Sequence, residues 1–195
     1  MDFSVQQADR ETSARLGRLS TAHGAIDTPA FMPVGTLGPV KGIDSVDLEQ
    51  LGFGLVLNNA YHLYLRPGHK IVAEMGGLHR FTGWPGAILT DSGGFQIFSL
   101  AKLCKVTDEG VSFQSHLDGS THVITPETAI EIEEALGADI MMAFDHCVAL
   151  PAERGSCAMP CGGPPSGHSA VRPVGVARIK PSLGSCKAVW MQISV

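Results

Sequence analysis

Three short apolar runs, each ending in polar residues, constrain the fold of this chain more than any other feature. They cover residues 53–58, 87–91 and 139–145. A buried strand of a parallel sheet is apolar along its length, and functional side chains lie at its carboxyl end. Helix-like segments separate the runs. The sequence therefore predicts an α/β fold in which strands and helices alternate around a parallel sheet or barrel.

Two of the predicted helices have clear start and stop signals. The first covers residues 44–51, with Asp44 or Ser45 as its N-cap and a glycine directly after it. The second begins after Thr125, which is followed by a proline at the first helical position and by an acid in the first turn. Gly137 is predicted to end it.

Candidate functional residues follow each apolar run. The three clusters cover residues 58–63, 90–96 and 144–147. Asp91 and Asp145 both follow apolar strands, so we expect them to converge at one barrel mouth. Paired carboxylates there suit recognition of a polar base or sugar and acid/base chemistry. Phe95 follows two glycines that leave the backbone open, so its ring is predicted to stack on a planar heterocycle.

Each cluster also has a purely structural interpretation. Residues 91–94 are compatible with a turn capped by an aspartate, and Asp145 with the cap of a following helix. His62 is compatible with a hydrogen-bonded structural histidine, and Cys147 with a small buried apolar residue. The residue types alone leave these alternatives open.

Longer motifs favour the functional interpretation of these clusters over the structural one. Four segments in continuous order resemble the bacterial tRNA-guanine transglycosylase family, and the resemblance covers residues 12–153: TPAFMPVGT (28–36), VKG (40–42), YHLYLRPG (61–68) and LTDSGGFQ (89–96). The resemblance implies a (β/α)8 TIM barrel with a zinc-binding insertion, assembled as a homodimer. It also implies exchange of the wobble guanine of tRNA for a 7-deazaguanine (preQ1-type) base in queuosine biosynthesis, through a covalent ribosyl–aspartate intermediate.

The same resemblance implies roles for the cluster at 90–96. Asp91 matches the family's base-contacting aspartate that acts in acid/base catalysis. Ser92 and Gly94 match residues that line the same loop, and Phe95 matches the aromatic residue that stacks on the bound base. Extrusion of a base from tRNA requires a stacking pocket of this kind.

In the third cluster, Asp145 matches the aspartate that reads the edge of the base. Cys147 matches a pocket cysteine of the bacterial enzymes, which favours a 7-aminomethyl-7-deazaguanine substrate over queuine. Two positions depart from the family pattern: Ala60 replaces a threonine, and His146 replaces a glutamate. The second departure places a titratable ring beside the base-reading aspartate.

Composition changes abruptly after residue 153. All 19 acidic residues lie between Asp2 and Glu153. Residues 154–195 contain no acid, five basic residues, six Gly, five Pro and three of the five Cys. We therefore predict two parts: 1–153, the N-terminal part of the transglycosylase barrel, and 154–195, an unrelated tail without stable packing.

The family's nucleophilic aspartate and its Cys-x-Cys-x-x-Cys zinc motif have no match in this sequence. The spacing of Cys157, Cys161, His168 and Cys186 is too loose to predict a substitute zinc site. A TIM barrel takes about 250 residues. We therefore expect a partial barrel of about four strands with an open sheet edge, and a chain that does not catalyse base exchange.

The tail suggests a change of reading frame. If the codons of residues 182–195 are read one nucleotide earlier, they permit Phe-Gly-Ile-Val-Gln-Gly-Gly, which resembles the family's next base-binding strand end. The same shift from Ala158 permits a segment that resembles the preceding family helix. The sequence thus predicts a single frame change near residues 153–157.

No signal peptide or membrane-spanning run is visible, and the cysteines are expected to be free thiols, so the sequence predicts a cytoplasmic protein. The net charge of −5 argues against a broad electrostatic grip on nucleic acid. Two other classes remain: a non-catalytic tRNA- or purine-binding fragment or partner subunit, and an unrelated barrel enzyme such as a glycosidase that uses Asp91 and Asp145.

Overall fold

A computed structural model describes residues 1–100, 103–107, 109–147 and 171–173, and for 145–147 and 171–173 it describes the backbone only. Most of the predicted tail lies outside these residues. Within the described ranges, no helix is both long and apolar enough to cross a lipid bilayer.

The chain begins with a three-stranded antiparallel sheet. Its strands, in the order β1-β2-β3, are β1 (Asp2–Ala8), β2 (Arg15–Thr21) and β3 (Gly24–Thr28). A two-residue turn joins β2 to β3. The residue after this turn, Gly24, has a φ of 124°, a backbone conformation that favours glycine. Ile26 of β3 is buried and packs beneath the main sheet, so this hairpin covers part of that sheet.

The main sheet is parallel and has four strands in the order β10-β6-β5-β4. Its first βα units are β4 (Val34–Gly35), α1 (Ser45–Gln50), β5 (Leu55–Asn59), α2 (Ala60–Leu65), α3 (His69–Glu74), α4 (Leu78–Thr82), β6 (Ala87–Asp91) and α5 (Gly94–Leu100).

A second antiparallel sheet interrupts the alternation before the parallel sheet resumes. The remaining elements are β7 (Cys104–Thr107), β8 (Gly110–Gln114), β9 (Thr121–Ile124), α6 (Pro126–Leu136), β10 (Ile140–Met141), β11 (Asp145–Cys147) and β12 (Val171–Pro173). Strands β11 and β12 pair with each other in an antiparallel ladder, separate from the parallel sheet.

Alternation along the central strands divides the core in two. Val56 and Ile88 face the helices, where the larger cluster also contains Leu63, Val72, Leu78, Phe113 and Leu136. Leu55, Ala87 and Leu89 face the other side and pack with Ile26 and Ile140. Because side chains alternate along a strand, the parity of a residue decides which of these two environments it enters.

The predicted local signals agree with the structure at both helices. Asp44 caps α1 by accepting a hydrogen bond from the Asp47 N–H at 2.8 Å. Thr125 caps α6, and Gly137 ends it in the left-handed conformation. The strand predicted over 87–91 is confirmed at both ends.

The strand predicted over 139–145 is wrong in its extent. Only Ile140 and Met141 pair with β6, and Asp145 belongs to the separate strand β11. The α/β class with a parallel sheet is confirmed. The partial barrel stays a prediction.

Candidate functional site

Polar side chains meet at the carboxyl ends of the two central parallel strands. Asn59 ends β5 and Asp91 ends β6, and the two are paired in register. Asn59 lies two residues after Leu57, and Asp91 two residues after Leu89, so each shares a sheet face with that leucine. This is the face that packs against Ile26. The carboxyl edge of a parallel sheet is the usual place for a ligand site.

Two hydrogen bonds orient the Asp91 carboxylate. Asn59 Nδ2 donates to Asp91 Oδ2 at 2.5 Å, and the Ala60 N–H donates to Asp91 Oδ1 at 3.1 Å. Asn59 uses its other amide atom to cap α2, since its Oδ1 accepts from the His62 N–H at 3.0 Å. The carboxylate of Asp91 is therefore held by a side chain that is itself held by a helix end. Asp91 is half-buried, so part of it reaches solvent.

The loop after β6 brings Ser92, Gly94 and Phe95 to the same edge. Gly93 has a φ of 73°, and a Cβ atom added to it would lie 2.9 Å from Tyr61 Cβ, so only glycine fits there without strain. The Gly94 N–H donates to Ser92 Oγ at 3.3 Å, where α5 begins. The Phe95 side chain is 60% exposed. An exposed ring beside an oriented carboxylate can stack on a planar ligand.

A buried carboxyl lies behind this edge, on the helix-facing side of the sheet. Glu133 of α6 is 3% exposed and accepts a hydrogen bond from the Thr90 hydroxyl. Burial raises the pKa of Glu133, the hydrogen bond from Thr90 opposes this rise and the Asp91 charge adds to it, and the resulting pKa is about 8. Glu133 Oε1 has no hydrogen-bond partner among the described residues. Glu133 is therefore protonated at neutral pH.

His62, by contrast, packs within a group of rings. Its ring lies edge-on to Tyr61 and to His116, with centroid distances of 5.3 and 5.6 Å. Burial, together with the nearby His116, lowers the pKa of His62. The Tyr61 hydroxyl bonds to His116 Nδ1 at 2.9 Å. These contacts favour the structural interpretation of His62.

Residues 145–147 of the third predicted cluster are described only in their backbone. Asp145 and Cys147 lie on β11, which runs alongside α5, the helix that carries Phe95. Their side chains lie outside the described residues. The convergence of Asp91 with Asp145 therefore stays a prediction.

The amino end of the parallel sheet holds the one group of possible metal ligands found within the described part of the chain: His23, His79 and Asp139. Burial alone would raise the pKa of Asp139. Hydrogen bonds from His79, His23 and the Ile88 N–H outweigh that effect and lower the pKa to about 2.

The zinc that the resemblance implies does not fit the donors in this sequence. A Cys-x-Cys-x-x-Cys pattern does not occur among the five cysteines. Of these, Cys104 is exposed and is a free thiol. Cys157, Cys161 and Cys186 lie outside the described residues.

Glu133 could have been found from the sequence, although the prediction did not include it. It lies on the same helical face as Ala129, Ile132 and Leu136, which form an apolar stripe. An acid on such a stripe is a signal of a buried carboxyl. The ligand group at the amino end has no comparable local signal, because its three residues are far apart in the chain.

Comparisons with known proteins agree over most of the chain. The family model for queuine tRNA-ribosyltransferase matches residues 9–159. The queuine tRNA-ribosyltransferase of Symbiobacterium thermophilum is 60% identical over 151 residues, covering 77% of this chain and 38% of that protein. That of Desulforamulus reducens is 57% identical over 152 residues, covering 78% and 41%. That of Thermoanaerobacter sp. is 59% identical over 151 residues, covering 77% and 40%. The chain thus spans about two fifths of the length of these relatives.

Proposed function

This chain belongs to the queuine tRNA-ribosyltransferase family, and we propose that the edge formed by Asp91, Ser92, Gly94 and Phe95 binds the base in that family's reaction. The family consists of glycosyltransferases of the pentosyltransferase type, which act on tRNA. One observation carries the proposal: a carboxylate held by two N–H donors lies one short loop before an exposed aromatic ring.

Asp91 is the proposed acid/base group. The proton that has to move is the one on the ring nitrogen that bonds to C1′ of the ribose, so the reaction calls for a carboxylate near that nitrogen. When the glycosidic bond of the wobble nucleotide breaks, the departing guanine takes up a proton. The incoming base gives up a proton as the new C–N bond forms. Asp91 is positioned to transfer these protons, since Asn59 and Ala60 orient its carboxylate.

Phe95 is the proposed stacking residue, and the loop of Ser92 and Gly94 lines the pocket. A base extruded from tRNA loses its stacking partners, and an aromatic side chain compensates for that loss. Gly93 supports the arrangement because its positive φ lets the loop pass close to Tyr61.

Asp145 is the proposed reader of the base edge, and Cys147 the pocket residue that selects a preQ1-type base. Their backbone position beside α5 supports this placement. The proposed partners are tRNA and a 7-deazaguanine base, and the family resemblance supports a homodimer.

We also propose that this 195-residue chain binds the base without completing the exchange. In the family reaction a carboxylate attacks C1′ of the ribose, guanine leaves with the bonding electrons, and the incoming base then displaces the carboxylate. Within the sequence, neither the segment around that nucleophile nor the zinc motif has a match. The loss of acidic residues after Glu153, close to the end of the family match at residue 159, supports a frame change near residues 153–157.

Base binding tests the site directly. Isothermal titration of the purified chain with 7-aminomethyl-7-deazaguanine is expected to give one saturable site. Phe95→Ala should weaken binding by about tenfold, corresponding to the loss of one stacking contact. Phe98→Ala, which removes a 45% exposed ring from the same helix, is the matched control and should bind like the wild type. Equal affinities for both variants would contradict the site.

Two further measurements separate binding from exchange. Incubation with tRNA labelled at the wobble guanine is expected to release no guanine above background, and sustained release would refute the proposed inactivity. Resequencing the gene across the codons for residues 153–157 tests the frame change, because an intact frame there would rule it out.

A further inference from the structure

A compact group of three side chains lies at the amino end of the parallel sheet, opposite the proposed base site. His23 Nδ1 is 2.8 Å from Asp139 Oδ1, and His79 Nε2 is 3.1 Å from Asp139 Oδ2. The two imidazole rings stack with centroids 3.5 Å apart and planes at 16°. Their parallel orientation turns one nitrogen of each ring toward the same carboxylate. All the ligand atoms lie within 4.8 Å of one another.

Local structure fixes each member of this group. Asp139 follows α6, and its backbone N–H donates to the Ile88 carbonyl at 3.0 Å while its Oδ2 accepts the Ile88 N–H at the same distance. His79 lies in the first turn of α4. His23 lies in the turn between β2 and β3, where its N–H donates to Thr21 Oγ1 at 3.1 Å.

Three hydrogen bonds hold the Asp139 carboxylate, but among the described residues none of them comes from a Lys or Arg side chain. The Asp139 side chain is only 3% exposed, and within the described residues its ion-pair partners are the two imidazoles, with no Lys or Arg among them. A buried carboxylate needs a positive partner. His23 is 39% exposed, so a small ion has access from solvent.

We propose that His23, His79 and Asp139 bind a divalent transition-metal ion of the zinc class, with the remaining coordination position open to water. Two imidazole nitrogens and one carboxylate oxygen form a donor set that such ions accept. Ligands about 2.0–2.2 Å from one ion lie roughly 3.0–3.5 Å apart. The observed separations of 2.8 and 3.1 Å run to different oxygens of Asp139, and the stacked rings point in parallel. Binding therefore also requires the His23 ring to tilt out of the stack, which its exposed turn permits.

This site differs from the cysteine-based zinc motif of the family in its ligands and in its part of the chain. It goes beyond the proposed base binding, from which it is separated by the length of the sheet. The ion links the N-terminal hairpin, through His23, to α4 and to the strand pair β6–β10. It therefore adds a cross-link between segments that are far apart in sequence, and metal binding stabilises the folded state.

Cobalt(II) titration of the tag-free, chelator-treated chain tests the proposal. Cobalt is chosen because thiolate ligation adds an intense ultraviolet charge-transfer band, so binding by the cysteines is distinguished from binding by nitrogen and oxygen. We expect one equivalent to bind with visible d–d absorption and no thiolate band, and zinc to displace it.

Variants locate the ion. His23→Ala and Asp139→Asn should each weaken cobalt binding by about tenfold or more. His69→Ala, which alters a histidine of α3 outside the group, should bind like the wild type. Zinc should raise the thermal midpoint of the wild type and His69→Ala but not of His23→Ala, a change in an exposed turn that leaves the core intact.

Three results would overturn the proposal: no cobalt binding by the wild type, a dominant thiolate band, or unchanged affinity in His23→Ala. If Asp139→Asn does not fold, His23→Ala still tests the metal site, because circular dichroism confirms the fold of that variant before the titration.

Discussion

Two carboxyl groups at opposite ends of the parallel sheet have little contact with solvent but differ in charge, and Glu133 is the more deeply buried of the two. Asp139, at the amino end, has a 3% exposed side chain and a pKa of about 2. Glu133, behind the carboxyl end, is 3% exposed and has a pKa of about 8. Burial favours the neutral form of both. The difference arises because three nitrogen groups contact Asp139, whereas Glu133 is more deeply buried and, among the described residues, has one hydroxyl donor and one oxygen without a partner.

The depth of burial and the number of hydrogen-bond donors together decide the charge of each carboxyl in this fold. The ionised Asp139 holds distant segments together. The neutral Glu133 supports Thr90 without placing a second negative charge behind Asp91, whose own charge contributes to keeping Glu133 protonated.

The largest effect on the free energy of unfolding is expected from removing Asp139, the ionised carboxyl of the two. Asp139→Ala leaves two imidazoles and the Ile88 N–H without their acceptor, and should lower the free energy of unfolding by about 3–5 kcal/mol. Urea unfolding followed by circular dichroism, at pH 7 with a chelator present, measures this loss. A loss below about 1 kcal/mol would show that these hydrogen bonds do not stabilise the ionised form.

Glu133, the neutral carboxyl of the two, should make the stability of the folded chain decrease as the pH rises. The ordinary pKa of Glu133 is 4.5 and its folded value is about 8, so between these values the folded chain binds a proton that the unfolded chain has lost. Raising the pH through this window therefore destabilises the wild type, by up to about 1.4 kcal/mol per unit, and the effect levels off above pH 8.

Glu133→Gln removes this dependence. Relative to wild type, we expect the variant to gain stability as the pH rises, on the order of 2–3 kcal/mol between pH 6 and pH 8. Glu134→Gln changes an exposed acid on the same helix and should keep the wild-type pH profile. If the Glu133 and Glu134 variants show the same profile, Glu133 is ionised in the folded chain and the comparison with Asp139 fails.

The carboxyl edge also differs from the amino end in how its chain is held, because close packing against a glycine replaces a cluster of hydrogen-bonded side chains. Gly93→Ala should cost about 2 kcal/mol, from its positive φ and from the close approach of Tyr61. Gly119→Ala is the matched control: it has a φ of 75° and no atom within 4 Å of an added Cβ, so only about 1 kcal/mol is expected. Equal losses of unfolding free energy in the two variants, measured by urea unfolding, would show that the close approach of Tyr61 adds nothing to the cost of Gly93→Ala.

Local patterns in the sequence predict the elements of this fold better than its buried polar groups. Helix α6 was predicted from its threonine cap, its proline and its terminal glycine, and β6 from its apolar run, since each signal acts within a few residues. Strand β10 was predicted too long. Apolar composition continues through residues 142–144, but only Ile140 and Met141 pair with β6.

The residues at the carboxyl edge were partly predictable. Asp91 and Phe95 follow a recognisable strand, whereas the Thr90–Glu133 pair depends on where α6 docks. The approach of His23 and His79 to Asp139 depends on contacts across 116 and 60 residues, for which one sequence carries no local pattern.

The smallest effect is expected from a third carboxylate, on the same hairpin as His23. Asp27 pairs with Arg18 across β2 and β3 at 2.8 Å, but the side chains are 74% and 53% exposed. Water and salt screen such a pair, so Asp27→Ala should change the free energy of unfolding by about 0.5 kcal/mol or less. Urea unfolding under the conditions used for Asp139→Ala checks this. A loss comparable to that of Asp139→Ala would mean that an exposed ion pair within the hairpin stabilises the fold as much as the buried contacts of Asp139.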